Sequence, residues 1–350
     1  MRKILVLFMA AILIFSLAGC SGTDSTSNET PSTENETVSD HKEKELKKIT
    51  VSEPVRSELW GPAYLAKALG YFEEEGLDVE FVTVQGDMPT APVLSGDAQF
   101  GLYGPEMILS FNEKGQGTKL IATVSDRYPY SFVTAKDITE IKQLKGRVVC
   151  AGDSGSSPRA FVRGIVASAG LDPDKDVTYV NIPGAASIAA LEKNEIQGTY
   201  VTPTARAIAL EAGFNLLIDI YDPAVHSELI GSDSYEMYII FSTDKYIKEN
   251  PETVQAFVNA VYKAILWADS HSAEEAVEAL TPLFANSQTL PTAVAEIKEN
   301  DLWSSDGLFS DSGYEAINRV ALSSGLIKEP VKREAAIDDS FMKKAHENIN

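Results

Sequence analysis

The alternation of apolar and polar positions divides the chain into three stretches. Residues 4–17 are apolar almost without interruption, residues 21–40 hold almost nothing apolar, and from Ile49 onward apolar positions recur with strand and helix periods. Alternating apolar residues around Phe81 and Tyr179 predict strands. Residues 90–94 and 187–191 carry short helical patterns that end in the turns Gly96-Asp97 and Asn194-Glu195. Residues 119–124, 131–135, 216–220 and 236–241 read as further strands. The tail reads as helical. Asn250-Pro251-Glu252 has an N-cap residue followed by Pro at the first helical position, and Phe257, Val261, Ile265 and Leu266 then repeat at helical spacing.

The folded part repeats itself once. Residues 79–106 align without a gap on residues 177–204, 98 positions later. Val79 falls on Val177, Phe81 on Tyr179, Gly86 on Gly184, Asp97 on Glu195, Gln99 on Gln197 and Pro105 on Pro203. Strands alternating with helices predict α/β lobes with parallel sheets, and the repeat predicts two similar ones. The expected order is lobe one over 49–127, lobe two over 128–234, and a return to lobe one over 235–350, with the first crossing at 126–130. Two such lobes set two rows of strand C-terminal ends opposite each other. Ligands of open α/β sheets bind outside those ends, and a hinge motion then encloses them.

The first stretch bears on compartment. Arg2 and Lys3 precede the apolar run, which is too short for a membrane span and ends in Leu17-Ala18-Gly19-Cys20. This looks like a bacterial lipobox: residues 1–20 are expected to be a lipoprotein signal peptide, with Cys20 lipidated and the protein anchored to the cell membrane on its extracytoplasmic face. Residues 21–48 bury too little to offset chain entropy and are expected to be a disordered tether. With Cys20 lipidated, Cys150 has no disulfide partner, and its apolar surroundings predict a buried thiol.

Charge removes one function class. The 51 acidic residues against 30 basic ones give a formal net charge of −21. A nucleic-acid surface needs clustered Lys and Arg; this balance instead suits a soluble body beside a membrane. The four histidines are scattered without ligand spacing, so no metal and no cofactor are expected.

Candidate chemistry centres on Gly152-Asp153-Ser154-Gly155, which has two readings. As the GDSG of trypsin-like proteases, it makes Ser154 a nucleophile that needs a general base; only His226 is placed to approach the cleft, and Ser156-Ser157 departs from the Gly-Pro that usually follows. As a strand end before a helix, it offers free backbone N–H groups, the Ser154, Ser156 and Ser157 hydroxyls and a close approach at Gly155, which suits an anion. The serines acting only as N-caps are a third reading. Arg159 in the first helical turn either reinforces the anion site or is solvated. In lobe one, Trp60 either faces ligand or packs the lobe. Gln85 and Asp87 follow the second strand, Tyr103 and Glu106 the third; Glu106 either accepts from ligand or is a solvated carboxylate. Arg127 and Tyr130 lie on the crossing, where Arg127 pairs with a ligand anion or forms an interlobe salt bridge. Thr202 and Thr204 fill the repeat positions of Gly104 and Glu106.

The segments "AYLAKALGYFEEEGLDVEF", "VLSGDAQFGLYGPE", "LKGRVVCAGDSGSS" and "NPETVQAFVNAVYKAILWA" together resemble bacterial ABC-transporter solute-binding proteins, in the NMT1/THI5-like branch that binds nitrate, sulfonates, taurine or thiamine-pyrimidine precursors. The resemblance implies the α/β type II periplasmic-binding-protein fold, a small organic ligand held between two lobes, an ABC permease and its ATPase as partners, membrane attachment through Cys20, and a monomer. Many relatives carry an acidic or aromatic residue near Thr202 and Thr204, so this departure leaves the ligand open: an organosulfonate, an aromatic acid and a pyrimidine all fit. The competing readings are an enzyme on the same fold, hydrolytic or pyrimidine-forming, and a receptor that presents ligand to a sensor. The chain lacks the cysteine cluster of the eukaryotic pyrimidine synthases, and no P-loop motif is present.

Overall fold

The computed structural model describes residues 45–349, except 85–89, 183 and 185. Gln85, Asp87 and Cys20 therefore lie outside the described residues. Strand β1 (Lys47–Glu53) leads through helices α1 (Gly61–Ala68) and α2 (Tyr71–Glu74) to β2 (Leu77–Thr83). Helix α3 (Ala91–Ser95), β3 (Phe100–Tyr103), α4 (Pro105–Glu113) and β4 (Thr118–Ser125) follow. The chain then crosses to β5 (Ser131–Thr134), β6 (Arg147–Cys150), α5 (Ser157–Ser168), β7 (Val177–Val180) and α6 (Ala186–Glu192). Strand β8 (Gly198–Val201), α7 (Pro203–Glu211), β9 (Asn215–Ile218) and α8 (Pro223–Ile230) complete that half. Strand β10 (Tyr238–Thr243) returns to the first sheet, before α9 (Asp244–Glu249), α10 (Pro251–Ser270), α11 (Ala273–Leu280), α12 (Leu290–Glu299) and α13 (Asp311–Ser323).

The two sheets have the same plan. Their orders are β2-β1-β3-β10-β4 and β7-β6-β8-β5-β9. The expectation of parallel sheets is corrected here, because both are mixed: β10 runs antiparallel to β3 and β4, and β5 antiparallel to β8 and β9. The reason is topological. β5 and β10 are the strands the chain makes on crossing between sheets, so they start at the edge where their neighbours end.

The internal repeat is carried by shared contacts. The Gln99 side-chain oxygen accepts from the Thr50 backbone N–H at 2.8 Å, and Gln197 accepts from the Val148 N–H at 3.1 Å, so each glutamine ties a third strand to its parallel neighbour. Each sheet also seats a phenylalanine of its crossing strand over a glycine. A Cβ on Gly101 would stand 2.3 Å from the Phe241 ring, and one on Gly198 would stand 2.7 Å from the Phe132 ring.

Helix α10 packs on α1 and buries Phe257, Val261 and Ile265 completely. Phe257 stacks on Phe100 at 4.0 Å. Asn250 holds the N-cap position without a side-chain cap; its oxygen instead accepts from Lys47 Nζ at 3.1 Å. Farther along, the tail touches the second half as well. Arg206 on α7 pairs with Glu296 on α12 at 2.7 Å and with Asp219 at 3.0 Å, and Arg319 on α13 donates to the Gly231 carbonyl at 2.9 Å.

Candidate functional site

The sheet order decides which residues meet. Strands β3 and β8 end, and β5 and β10 begin, on the same edge of their sheets. Tyr103, Tyr200, Tyr130 and Tyr238 are therefore brought to the facing edges, together with the turn that follows β6.

An aromatic chain crosses between the halves. Trp60, just before α1, meets Tyr238 edge-on with ring centroids 4.6 Å apart. The Tyr238 hydroxyl lies 3.1 Å from that of Tyr130, and the Tyr130 ring meets Tyr200 at 5.3 Å. Trp60 is 3% exposed, and its indole N–H is buried without a hydrogen-bond partner. Trp60 thus packs at the junction and still carries an unsatisfied donor, which costs free energy unless an acceptor reaches it. Tyr103 is half-buried, and its phenol is pushed up to about 12, first by burial and then by the charges of Asp153 and Glu106. The Tyr200 hydroxyl is raised likewise, by burial and then by Cys150 and Asp153. The charge of Asp153 thus acts on tyrosines of both halves, and its carboxylate accepts from Asn181 at 2.7 Å. Asp153, Tyr200 and Tyr238 were missed by sequence reasoning. The signal available was a tyrosine at the cleft-side end of a predicted strand.

The turn after β6 is organised by Ser156, the N-cap of α5, which accepts from the Arg159 N–H and donates to the Asp153 carbonyl at 2.8 Å. Ser154 is exposed. Together with Gly155, Ser156 and Arg159 it lines an open cavity of about 400 Å³ that Arg163, Asp174 and residues 324–326 also line. This cavity lies on the flank of α5, and none of the aromatic residues above lines it. Arg159 is half-buried and engaged: Nη2 donates to the Gly152 carbonyl at 2.8 Å, and the guanidinium stacks 4.5 Å over the Tyr179 ring. Burial lowers its pKa.

Two candidates are corrected outright. Glu106 is neither a ligand acceptor on an open path nor a solvated carboxylate, because it is fully buried. One oxygen accepts from Ser157 and the other from the Tyr235 hydroxyl at 2.6 Å. Burial raises its pKa, and the hydrogen bonds from Ser157 and Tyr235 oppose that rise. Ser157, expected at the anion site, is 5% exposed and spends its hydroxyl on Glu106.

The chain crosses between the sheets at residues 126–130 and again at 235–237. Tyr128 donates its backbone N–H to His226 Nε2 at 3.2 Å, while His226 Nδ1 meets the Ser232 carbonyl at 2.9 Å. With both ring nitrogens held by backbone and its pKa lowered by burial, His226 is a structural strut and no base for Ser154. Arg127 is half-buried; among the described residues its guanidinium has no hydrogen-bond or ion-pair partner, so it makes no interlobe salt bridge. That bridge is Arg206–Glu296. Asp126, next to Arg127 in the chain, is pushed up to about 6 by burial and by the charges of Asp306 and Glu236, against a hydrogen bond from Ser304. Thr202 caps α7 by position only, and Thr204 is half-buried on that helix. Cys150 is fully buried, with its sulfur against Ile182 N and O. Among the described residues no acid, His or Cys cluster is arranged for a metal, and no helix is long and apolar enough to cross a membrane.

Known proteins resemble this chain in sequence and in fold. A Bacillus subtilis protein named "Putative binding protein YtlA" is 24% identical over 315 residues, 87% of this chain and 91% of the relative. The formylaminopyrimidine-binding protein of Halalkalibacterium halodurans is 28% identical over 249 residues, 68% and 70% of the two chains. The solved periplasmic aliphatic sulphonate binding protein SsuA from Escherichia coli superposes with a TM-score of 0.63 at 15% identity, covering 84% of this chain and 92% of that one. The fold is that of the periplasmic binding proteins. The sequence model of the family described as NMT1/THI5 like matches residues 60–275, more than half of the length, and the chain belongs to that family.

Proposed function

We propose that this chain is the solute-binding component of an ABC importer and holds a small organic ligand between its two halves. The observation that carries the reading is the aromatic chain Trp60–Tyr238–Tyr130–Tyr200, with side chains from both sheets at the edge where their strands face each other. Trp60, Tyr238 and Tyr130 are buried against one another here, and a ring or hydrocarbon part of the ligand packs against their faces when the halves part. Arg127, half-buried without a partner, suits an anionic or strongly polar group on the same ligand. Sulfonates and pyrimidines, which the named relatives bind, both meet this description. Contacts to both halves favour the closed form, because only differential contacts move an open–closed equilibrium. A separate permease and ATPase supply passage and energy. Leu17-Ala18-Gly19-Cys20 gives the lipid anchor that keeps the protein on the outer face of the cell membrane.

Thermal-shift screening against alkanesulfonates, aromatic carboxylates and aminopyrimidines tests the reading. One class is expected to raise the melting temperature with concentration. Labelling of Ser154 by a serine-directed phosphonate, with turnover of an ester probe, would overturn it in favour of a hydrolase.

A further inference from the structure

Four separately arriving segments converge on Glu106. Its own helix, α4, belongs to the first half. Ser157, the first residue of α5 in the second half, donates to one carboxyl oxygen, and Tyr235 on the returning crossing donates to the other at 2.6 Å. Tyr128 on the outgoing crossing donates to the Ser157 carbonyl at 2.9 Å and meets the Tyr235 ring at 4.7 Å. The approach is close enough to require a glycine at the head of α4: a Cβ on Gly104 would stand 2.2 Å from Ser157 Oγ. No Lys, Arg or His pairs with this carboxyl among the described residues. The matching repeat position, Thr204, makes no contact of this kind.

A fully buried carboxyl with both oxygens taken by protein hydroxyls has no face for a ligand. Its bonds nevertheless join the two halves and both crossings. We infer that Glu106 is a latch: a positioning residue that holds the two lobes together and so sets how often the cleft opens, without touching ligand. This rests on the two-lobe clamp proposed above. When the lobes part, Ser157 leaves with α5 and the carboxyl gains water in its place. A chain that spends more time closed releases ligand more slowly, and its apparent affinity scales with the population of the competent state.

The test needs no ligand, so failure to find one leaves it intact. In the full chain with Cys20→Ser, spin labels are placed at Lys114→Cys and Lys193→Cys, exposed positions after α4 and α6, and interlobe distances are measured by pulsed electron resonance. The parent is expected to show a dominant short distance. Ser157→Ala should raise the long-distance population about fivefold to tenfold, the effect of losing one buried hydrogen bond. Tyr235→Phe should raise it less, because Tyr235 lies on the crossing, and Thr204→Ala should leave it unchanged. The latch is overturned if Ser157→Ala and Tyr235→Phe, both folded by their melting curves, give the parent's distribution. It is equally overturned if Thr204→Ala broadens the distribution as much as Ser157→Ala does.

Discussion

The two halves have one scaffold and two kinds of strand end. Gln99 and Gln197 do the same work in their sheets, and Gly101 and Gly198 receive equivalent phenylalanines. Past the ends of β3 and β8 the likeness stops. Gly104 and Glu106 lead into a buried junction, whereas Thr202 and Thr204 stay half-exposed. The same divergence follows β4 and β9: Asp126 is half-buried with its Oδ1 enclosed and unpartnered, whereas Asp219 is paired to Arg206. A duplicated sheet needs its internal contacts twice, but a clamp needs its hinge and its site once. The repeat is therefore kept within the sheets and lost where the lobes meet.

The largest effect should come from the shared glycines. Gly101→Ala drives a methyl into the Phe241 ring, and overpacking of this kind costs about 3 kcal/mol. Gly198→Ala should cost less, because its clearance from Phe132 is wider. Denaturant melts check both; a harmless Gly198→Ala beside a severe Gly101→Ala would break the equivalence of the sheets.

Asp126 and Asp219 should respond differently. The fold favours the neutral form of Asp126, so its favourable contribution is present below about pH 4 and is lost as pH rises through about 6. Asp126→Asn should therefore stabilise the chain by about 2 kcal/mol at pH 8, with the gain vanishing near pH 4. Asp219→Asn, which removes an ion-pair partner of Arg206, should give no gain at either pH. Melting curves across pH decide this, and a pH-independent Asp126→Asn would contradict it.

The smallest effect sharpens the likeness. Gln99→Leu and Gln197→Leu each strip an acceptor from a strand N–H and should each cost about 1.5 kcal/mol. Gln197 should be slightly worse, because it also donates to Asn194.

What was legible in the sequence follows the same division. The strands near 119–124, 131–135, 216–220 and 236–241 are visible as short apolar runs between turns, as strands covered on both faces read, and the helix from Pro251 is visible through its helical spacing. The gapless match of Gln99 with Gln197 announced the twin sheets, because that glutamine has one job in each. The antiparallel sense of β5 and β10 was not legible, since direction within a sheet is set by where the chain crosses. Glu106 and Ser157 read as cleft residues because both stand at strand-to-helix turns; that these turns meet each other depends on packing between segments some fifty residues apart. Arg159 looked available for an anion until its own turn and Tyr179 claimed it. Tyr200 and Tyr238 stand near strand ends, but an aromatic residue in a strand reads first as core.

The central claim is that one ligand is held by both halves. The most direct measurement is isothermal titration of the ligand class found by screening into the parent, Trp60→Ala and Tyr200→Ala. The account predicts that each variant weakens the same binding event by about tenfold or more, since each removes an aromatic face worth roughly 1.5 kcal/mol or more. Parent-like affinity in either variant would place the ligand within a single lobe and contradict the clamp.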